Sequence, residues 1–207
     1  MPDYFYEDQA RGRGFATVCG VDEAGAGPLC GPVYAAAVIL PEDCDLPGLN
    51  DSKKLTEKKR EALFPIICEK AIAYAVAWVD EKEIDATDIL SARMKAMQLA
   101  IDGLSTRVDY ALIDGNRDHG KSFAITTPHE CVVKGDSLSM SIAAASVLAK
   151  VSRDRFVVEV LDKQYPQYGF AKHKGYGTKL HRAMYEQYGA CPAHRMTFLK
   201  KWEKRKA

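Results

Sequence analysis

The chain has 207 residues, enough to bury a sizeable core as one domain with at most a small appendage. Its hydrophobic and charged fractions, 47% and 28%, are ordinary for a globular chain, no apolar run reaches the length of a membrane span, and the acidic, aromatic start Met1-Pro2-Asp3-Tyr4-Phe5-Tyr6-Glu7-Asp8 is not a secretory signal. The net charge of +1 hides an asymmetry, because residues 171–207 carry ten Lys or Arg against two acids while residues 1–170 carry nineteen against twenty-six.

Residues 1–14 read as a short extension, loosened by Gly12 and Gly14. Residues 15–22 and 33–40 read as strands joined by the Gly/Pro loop 24–32. Pro41, Pro47 and Gly48 break residues 41–55 into loop. Thr56 caps a helix that begins around Lys58-Lys59-Arg60-Glu61-Ala62-Leu63, and Pro65 predicts an interruption near its first turns. Residues 72–79 alternate as a strand does, with a helical continuation left open. Over 88–103, Ile89, Leu90, Ala92, Met94, Ala96, Met97 and Leu99 supply the apolar face of a helix that Gly103 ends. Short strands follow at 109–113 and 130–133, then a long helix over 139–163 whose segment Ala143-Ala144-Ala145-Ser146 permits close packing, then helices over 178–188 and 196–205. Strands interleaved with helices predict an α/β fold with a mixed sheet, organised as the extension 1–14 and one domain over 15–207 that ends in a basic helical part from about 171. The expected state is a monomer. Cys19, Cys30, Cys44, Cys68, Cys131 and Cys191 are scattered without CxxC spacing, which argues against a zinc site and for a reducing, cytoplasmic setting without disulfides.

Four acids carry the chemistry. Val18-Cys19-Gly20-Val21 runs into Asp22-Glu23 and then into Ala24-Gly25-Ala26-Gly27-Pro28; Asp114 follows Tyr110-Ala111-Leu112-Ile113, and Asp136 follows Cys131-Val132-Val133-Lys134-Gly135. In open α/β sheets sites gather at strand ends, and clustered carboxylates suit hard divalent cations and phosphodiester hydrolysis. Adjacent acids on a regular strand point to opposite faces, so a shared site for Asp22 and Glu23 requires the strand to break there, with Gly25 and Gly27 supplying the freedom. Taken singly, Asp114 could start an Asp-Gly-Asn turn and Asp136 could cap the long helix. Their joint occurrence with the glycine loop favours a metal site, because a metal-free cluster of carboxylates is costly. The basic C-terminal part suits phosphate contact or, equally, a solvated helical surface.

The ordered segments Gly20-Val21-Asp22-Glu23-Ala24-Gly25, Leu49-Asn50-Asp51-Ser52-Lys53-Lys54-Leu55, Asp114-Gly115-Asn116, Lys134-Gly135-Asp136, Ile142 to Asp154, Tyr168-Gly169-Phe170 and His173-Lys174-Gly175-Tyr176 resemble type 2 ribonuclease H, ribonuclease HII, through nearly the whole chain. The resemblance implies a ribonuclease H-like fold with a mixed sheet flanked by helices and a helical C-terminal region. It implies Mg²⁺ or Mn²⁺ in a two-metal site held by Asp22, Glu23, Asp114 and Asp136. The implied substrates are RNA–DNA hybrids and duplex DNA with embedded ribonucleotides, cut 5′ of the ribonucleotide to leave 3′-hydroxyl and 5′-phosphate ends. By the same resemblance Tyr176 packs on the sugar at the RNA–DNA junction, although a Tyr at a loop–helix boundary is otherwise read as half-buried packing. Gly25, Ala26 and Gly27 are implied to contact the ribose. Lys53 ranks first among the phosphate contacts; Ser52, Lys150, Arg153, Lys174 and Arg195 are weaker candidates, and Lys150 and Arg153 could equally pair with acids. His119, His129, His173, His181 and His194 form a weak set for acid–base work, and His173 is expected to shape a loop. Phe198 and Trp202, at helical spacing, read first as packing.

The family pattern in the glycine loop is Gly-Arg-Gly, and this chain has Gly25-Ala26-Gly27. Alanine keeps the backbone groups and removes a guanidinium capable of bidentate contact, so weakened junction recognition is expected with the metal site intact. The nearest alternative is the specificity of type 3 ribonuclease H, which needs runs of RNA. A non-catalytic hybrid-binding protein and a nuclease acting on plain DNA are the more distant ones.

Overall fold

The computed structural model describes residues 1–204. Its centre is a mixed sheet in the order β3-β2-β1-β4-β5, built from β1 (Val18–Ala24), β2 (Val33–Ile39), β3 (Ala73–Val79), β4 (Tyr110–Asp114) and β5 (His129–Val132). β1, β2 and β3 form an antiparallel meander, and β4 and β5 add to β1 in parallel. Residues 72–79, ambiguous in sequence, thus form an edge strand. β2 is buried along its whole length, which explains a run of Val, Tyr, Ala and Ile with no polar alternation.

The period of two in a strand divides the core. Cys19 and Val21 of β1, with Val33, Ala35 and Ala37 of β2, face α4 (Ile89–Asp102) and pack on Ala92, Ala96, Met97 and Ala100. On the other face Ala24, Ala36 and Val38 meet Ala143 to Leu148 of α5 (Met140–Phe156) and Leu63 and Ile67 of α2 (Glu57–Lys70). α5 lies very close to β1, since a Cβ added to Gly20 would stand 2.2 Å from the Ile142 nitrogen. Gly20 and the run of alanines are what permit this approach.

Several local expectations differ from what is observed. Residues 1–14 are not loose: α1 (Phe5–Gly12) docks through Ala10 onto Val18, Leu112 and Ile142. Its Glu7 is buried and accepts from the Ser139 hydroxyl at 2.6 Å and the Ser141 amide at 2.8 Å, at the N-terminal end of α5 where a carboxylate is favoured. α2 runs through Pro65 unbroken, because Pro65 is exposed and water can reach the carbonyl one turn back that loses its partner. α3 (Glu81–Ala86), capped by Asp80, was not anticipated. In α4, Leu99 is 42% exposed, and Ala100 and Ile101 are buried. Ser139, not Asp136, caps α5 by accepting from the Ile142 amide, so Asp136 is left free for other work.

α5 continues into a π-helical segment, Val157–Leu161, and the single turn α6 (Asp162–Gln164), matching the long helix expected. α7 (Phe170–His173), α8 (Lys179–Tyr188) and α9 (Met196–Glu203) complete the fold; of the helix expected over 196–205 and the basic part over 171–207, residues 205–207 lie outside the described residues. Among the described residues, no helix is long and apolar enough to cross a membrane.

The Gly20 contact gives a direct test. Gly20→Ala should destabilise the protein by about 3 kcal/mol or prevent folding, because backbone and not a flexible side chain must move. Gly12→Ala, which meets nothing within 4 Å, should be neutral or stabilising by up to ~1 kcal/mol. Urea unfolding of the two variants checks both values.

Candidate active site

The strand register builds the site. β1 and β4 pair in parallel with Val21 opposite Ile113, so the next residue on each strand, Asp22 and Asp114, lies side by side on the face toward α5. Asp136 arrives from the single 3₁₀ turn Gly135–Ser137 after β5, and its amide donates to Asp114 Oδ1 at 3.1 Å. One carboxylate oxygen from each of Asp22, Asp114 and Asp136 lies within 4.8 Å of the others. β1 does not break before Glu23, which remains paired opposite Ala35 in the ladder. The alternation therefore turns Glu23 to the α4 face, where Arg93 Nη2 is 2.7 Å from its Oε1. The structure thus gathers three of the four expected acids and leaves Glu23 at the edge of the cluster.

The cluster is electrostatically loaded. Burial, then the charges of Glu23 and Asp114, raise the Asp22 carboxyl well above the usual carboxylate range. Burial and the neighbouring Asp136 charge push Asp114 up to about 6. Lys53 Nζ stands 2.9 Å from Asp136 Oδ2; burial works against its ammonium, but that bond and the charges of Asp22, Asp136 and Asp51 outweigh it and hold its pKa above the usual lysine value. Hard oxygen donors this close, with Glu23 Oε2 buried and lacking any hydrogen-bond partner, fit a divalent cation. Asp22, Asp114 and Asp136 could hold it, and Glu23 has one oxygen to add.

The glycine loop is held from beneath by two buried guanidiniums. Arg195 donates to the carbonyls of Gly25 at 2.7 Å, Ala26 at 3.1 Å and Gly31 at 2.8 Å. Arg153 donates to Cys30, Pro32 and Lys174 carbonyls, and its Nε would stand 2.1 Å from a Cβ at Gly25, whose φ is +94°. Both side chains are 0% exposed, so neither is the phosphate contact that their charge suggested. Their donors are committed to carbonyls.

The other sequence candidates divide similarly. Ser52 is buried with its amide bonded to Ser146 Oγ, and it orders the loop that presents Lys53. Lys150 pairs with Asp154 at 2.8 Å, and Lys174 bonds the Ala171 carbonyl. Tyr176 is 42% exposed, close to Gly27, with Lys150 Nζ 5.7 Å from its ring centre. The loop beneath it is set by histidines: Gly175 N donates to His173 Nδ1, and His181 Nδ1 lies 3.0 Å from the Tyr176 carbonyl. Burial lowers the pKa of His173, and takes His181 and His194 down to about 4, so these rings are neutral packing elements at pH 7. His119 and His129 pair with Asp118. Beside Gly27, a cleft of about 240 Å³ is lined by Leu29, Arg182, Phe198, Lys201 and Trp202. Arg93 was missed in sequence; it lies among ordinary helix positions, and only the facing of α4 onto β1 reveals it.

A family model described as Ribonuclease HII matches residues 19–201. Ribonuclease HII of Acetivibrio thermocellus is 53% identical over 195 residues, covering 94% of this chain and 74% of that one. Ribonuclease HII of Endomicrobium trichonymphae is 56% identical over 187 residues, covering 90% and 87%. Among solved structures, the ribonuclease H2 from Pyrococcus horikoshii OT3 matches with a TM-score of 0.72 at 28% identity over 91% of this chain and 98% of that one. The fold also matches that of Bst-RNase HIII in complex with Mn²⁺, with a TM-score of 0.59 at 20% identity over 88% and 64% of the two chains.

The raised Asp114 carboxyl has a consequence for stability. It ionises less readily in the fold than in the unfolded chain, so without divalent ions stability falls as pH rises from about 4 to about 6. Asp114→Asn keeps the oxygen that accepts from the Asp136 amide and removes the charge. At pH 7.5 in chelator the variant should exceed the parent by about 1 kcal/mol, allowing for partial exposure, and the gap should close toward pH 4. Thermal melts at the two pH values measure it; equal stability at pH 7.5 contradicts the electrostatic account.

Proposed function

The chain belongs to the ribonuclease HII family and is an endoribonuclease, and from that premise we propose that it hydrolyses the RNA strand of RNA–DNA hybrids and incises duplex DNA 5′ of embedded ribonucleotides. The observation that carries this reading is the gathering of Asp22, Asp114 and Asp136, one carboxylate oxygen from each, within 4.8 Å at the end of the strand that leads straight into the glycine loop. In it these residues and Glu23 hold two divalent cations, Mg²⁺ or Mn²⁺. When bound, such ions supply Lewis-acid activation of water and stabilise the departing 3′ oxygen, giving 3′-hydroxyl and 5′-phosphate ends.

The chain's own groups do the recognition. Arg195 takes the carbonyls of Gly25 and Ala26, so the loop is fixed and its outward backbone groups are free for a ribose 2′-hydroxyl. Tyr176, exposed beside Gly27, offers a flat ring to the adjoining deoxyribose. Lys53 holds Asp136 and projects into solvent with its side chain 73% exposed, which suits a phosphate contact that neutralises charge at the reacting group. The cleft beside Gly27, with Arg182 and Lys201 around Trp202 and Phe198, extends the basic surface along the path of a bound strand.

Ala26 is the observation that favours a second reading. Without a guanidinium at that position the loop lacks a charged contact worth roughly 1.5–3 kcal/mol, and cutting confined to runs of RNA would follow if that contact is essential. Incubation with Mg²⁺ and two duplexes, one with a single ribonucleotide and one with a run of four, separates the readings. Cutting 5′ of the single ribonucleotide supports the proposal; cutting only in the run supports the alternative; no cutting of either with Mg²⁺ or Mn²⁺ refutes both. On the single-ribonucleotide duplex, Ala26→Arg should raise kcat/KM by about tenfold or more, and an unchanged value would remove Ala26 as the limiting feature.

A further inference from the structure

Glu23 and Arg93 form a pair whose bonding is incomplete on both sides. Arg93 Nη2 is 2.7 Å from Glu23 Oε1, and the two side chains are only 25% and 14% exposed. Glu23 Oε2 and Arg93 Nε are both buried without a hydrogen-bond partner. Buried polar atoms in native proteins are ordinarily satisfied, so an orphaned carboxylate oxygen beside three clustered acids is unusual. The charge of Glu23 reaches both Asp22 and Asp114, raising the carboxyl pKa of each. Arg93 therefore places a fixed positive charge against Glu23, the acid whose own charge reaches the cluster.

We propose that Arg93 sets how tightly the carboxylate site holds a divalent cation, by retaining one oxygen of Glu23 and by opposing the cation's charge. Arg93 acts through Glu23 and is a positioning residue. It leaves Oε2 as the one Glu23 oxygen open to a metal and keeps the affinity of the free protein low. The inference rests on the reading of Glu23 as a ligand, so its test includes that residue.

Mn²⁺ is titrated calorimetrically into the full chain at pH 8 and fixed ionic strength, for the parent, Arg93→Gln, Arg93→Lys and Glu23→Gln. Arg93→Gln should bind Mn²⁺ about five- to tenfold more tightly, the scale of removing one unit charge that neighbours a ligand of a divalent ion in a hydrated site. Arg93→Lys, which keeps the charge, should stay within about twofold of the parent, an outcome that loss of packing would not give. Glu23→Gln should bind more weakly. Unchanged or weaker binding by Arg93→Gln with weakened binding by Glu23→Gln overturns the role of Arg93 alone. Parent-like binding by Glu23→Gln removes Glu23 from the site and overturns the wider reading as well. Arg93→Met serves the same test if the glutamine variant does not fold.

Discussion

Three carboxylates within 4.8 Å of one another repel, and the rest of the structure is arranged so that they cannot separate. Asp22 and Asp114 stand on adjacent parallel strands whose register is fixed by a ladder buried between two layers of helix. Asp136 is tied to Asp114 through its own amide. Movement of any one would require β1, β4 or the turn after β5 to leave its place under α5, and Gly20 lets α5 sit close enough to prevent it. The repulsion is thus borne by the core, which is the common condition of preorganised sites.

The same logic is repeated with opposite sign beneath the glycine loop. Arg153 and Arg195 are fully buried charges, costly unless their donors are satisfied. They are satisfied by carbonyls drawn from residues 25–32 and 174, segments far apart in sequence. Arg153 therefore fastens the loop after β1 to the loop that carries Tyr176, while Arg195 braces the first of these loops from Gly25 to Gly31. Alanine at position 26 is compatible with this framework, because its contribution there is a carbonyl.

How much of this was legible in sequence depended on how local the signal was. The mixed α/β architecture followed from apolar runs and breakers, and Asp22, Asp114 and Asp136 from their place at strand ends. Glu23 was read with them, yet simple alternation, stated at the outset, already places it on the opposite face of an unbroken strand. Arg153 and Arg195 looked like surface charges because charge patterning cannot report burial; their partners are backbone atoms, which no sequence displays. Glu7 was invisible for a related reason: an acid in a short amphipathic N-terminal segment looks solvated until the serines that bind it, Ser139 and Ser141, are brought over it. Pro65 failed as a breaker because exposure, not residue type, decides whether the lost hydrogen bond matters.

Helix α5 touches every part of this arrangement. Ser139 at its start anchors α1, Ser146 holds the loop of Lys53, Lys150 neighbours Tyr176, and Arg153 gathers the glycine loop and the loop of Tyr176. One residue inserted among them would rotate everything beyond it by roughly 100° and break the phase of all later attachments. The chain does accommodate a helical irregularity of that kind, the π segment Val157–Leu161, and it lies just past Arg153, the last of the four. The irregularity therefore falls after the attachments to α1, Lys53 and the glycine loop, and the helix re-enters register for a second set of contacts, where Val157 and Leu161 pack on Cys30, Tyr168 and Phe170 and Asp162 accepts from the Ala171 amide.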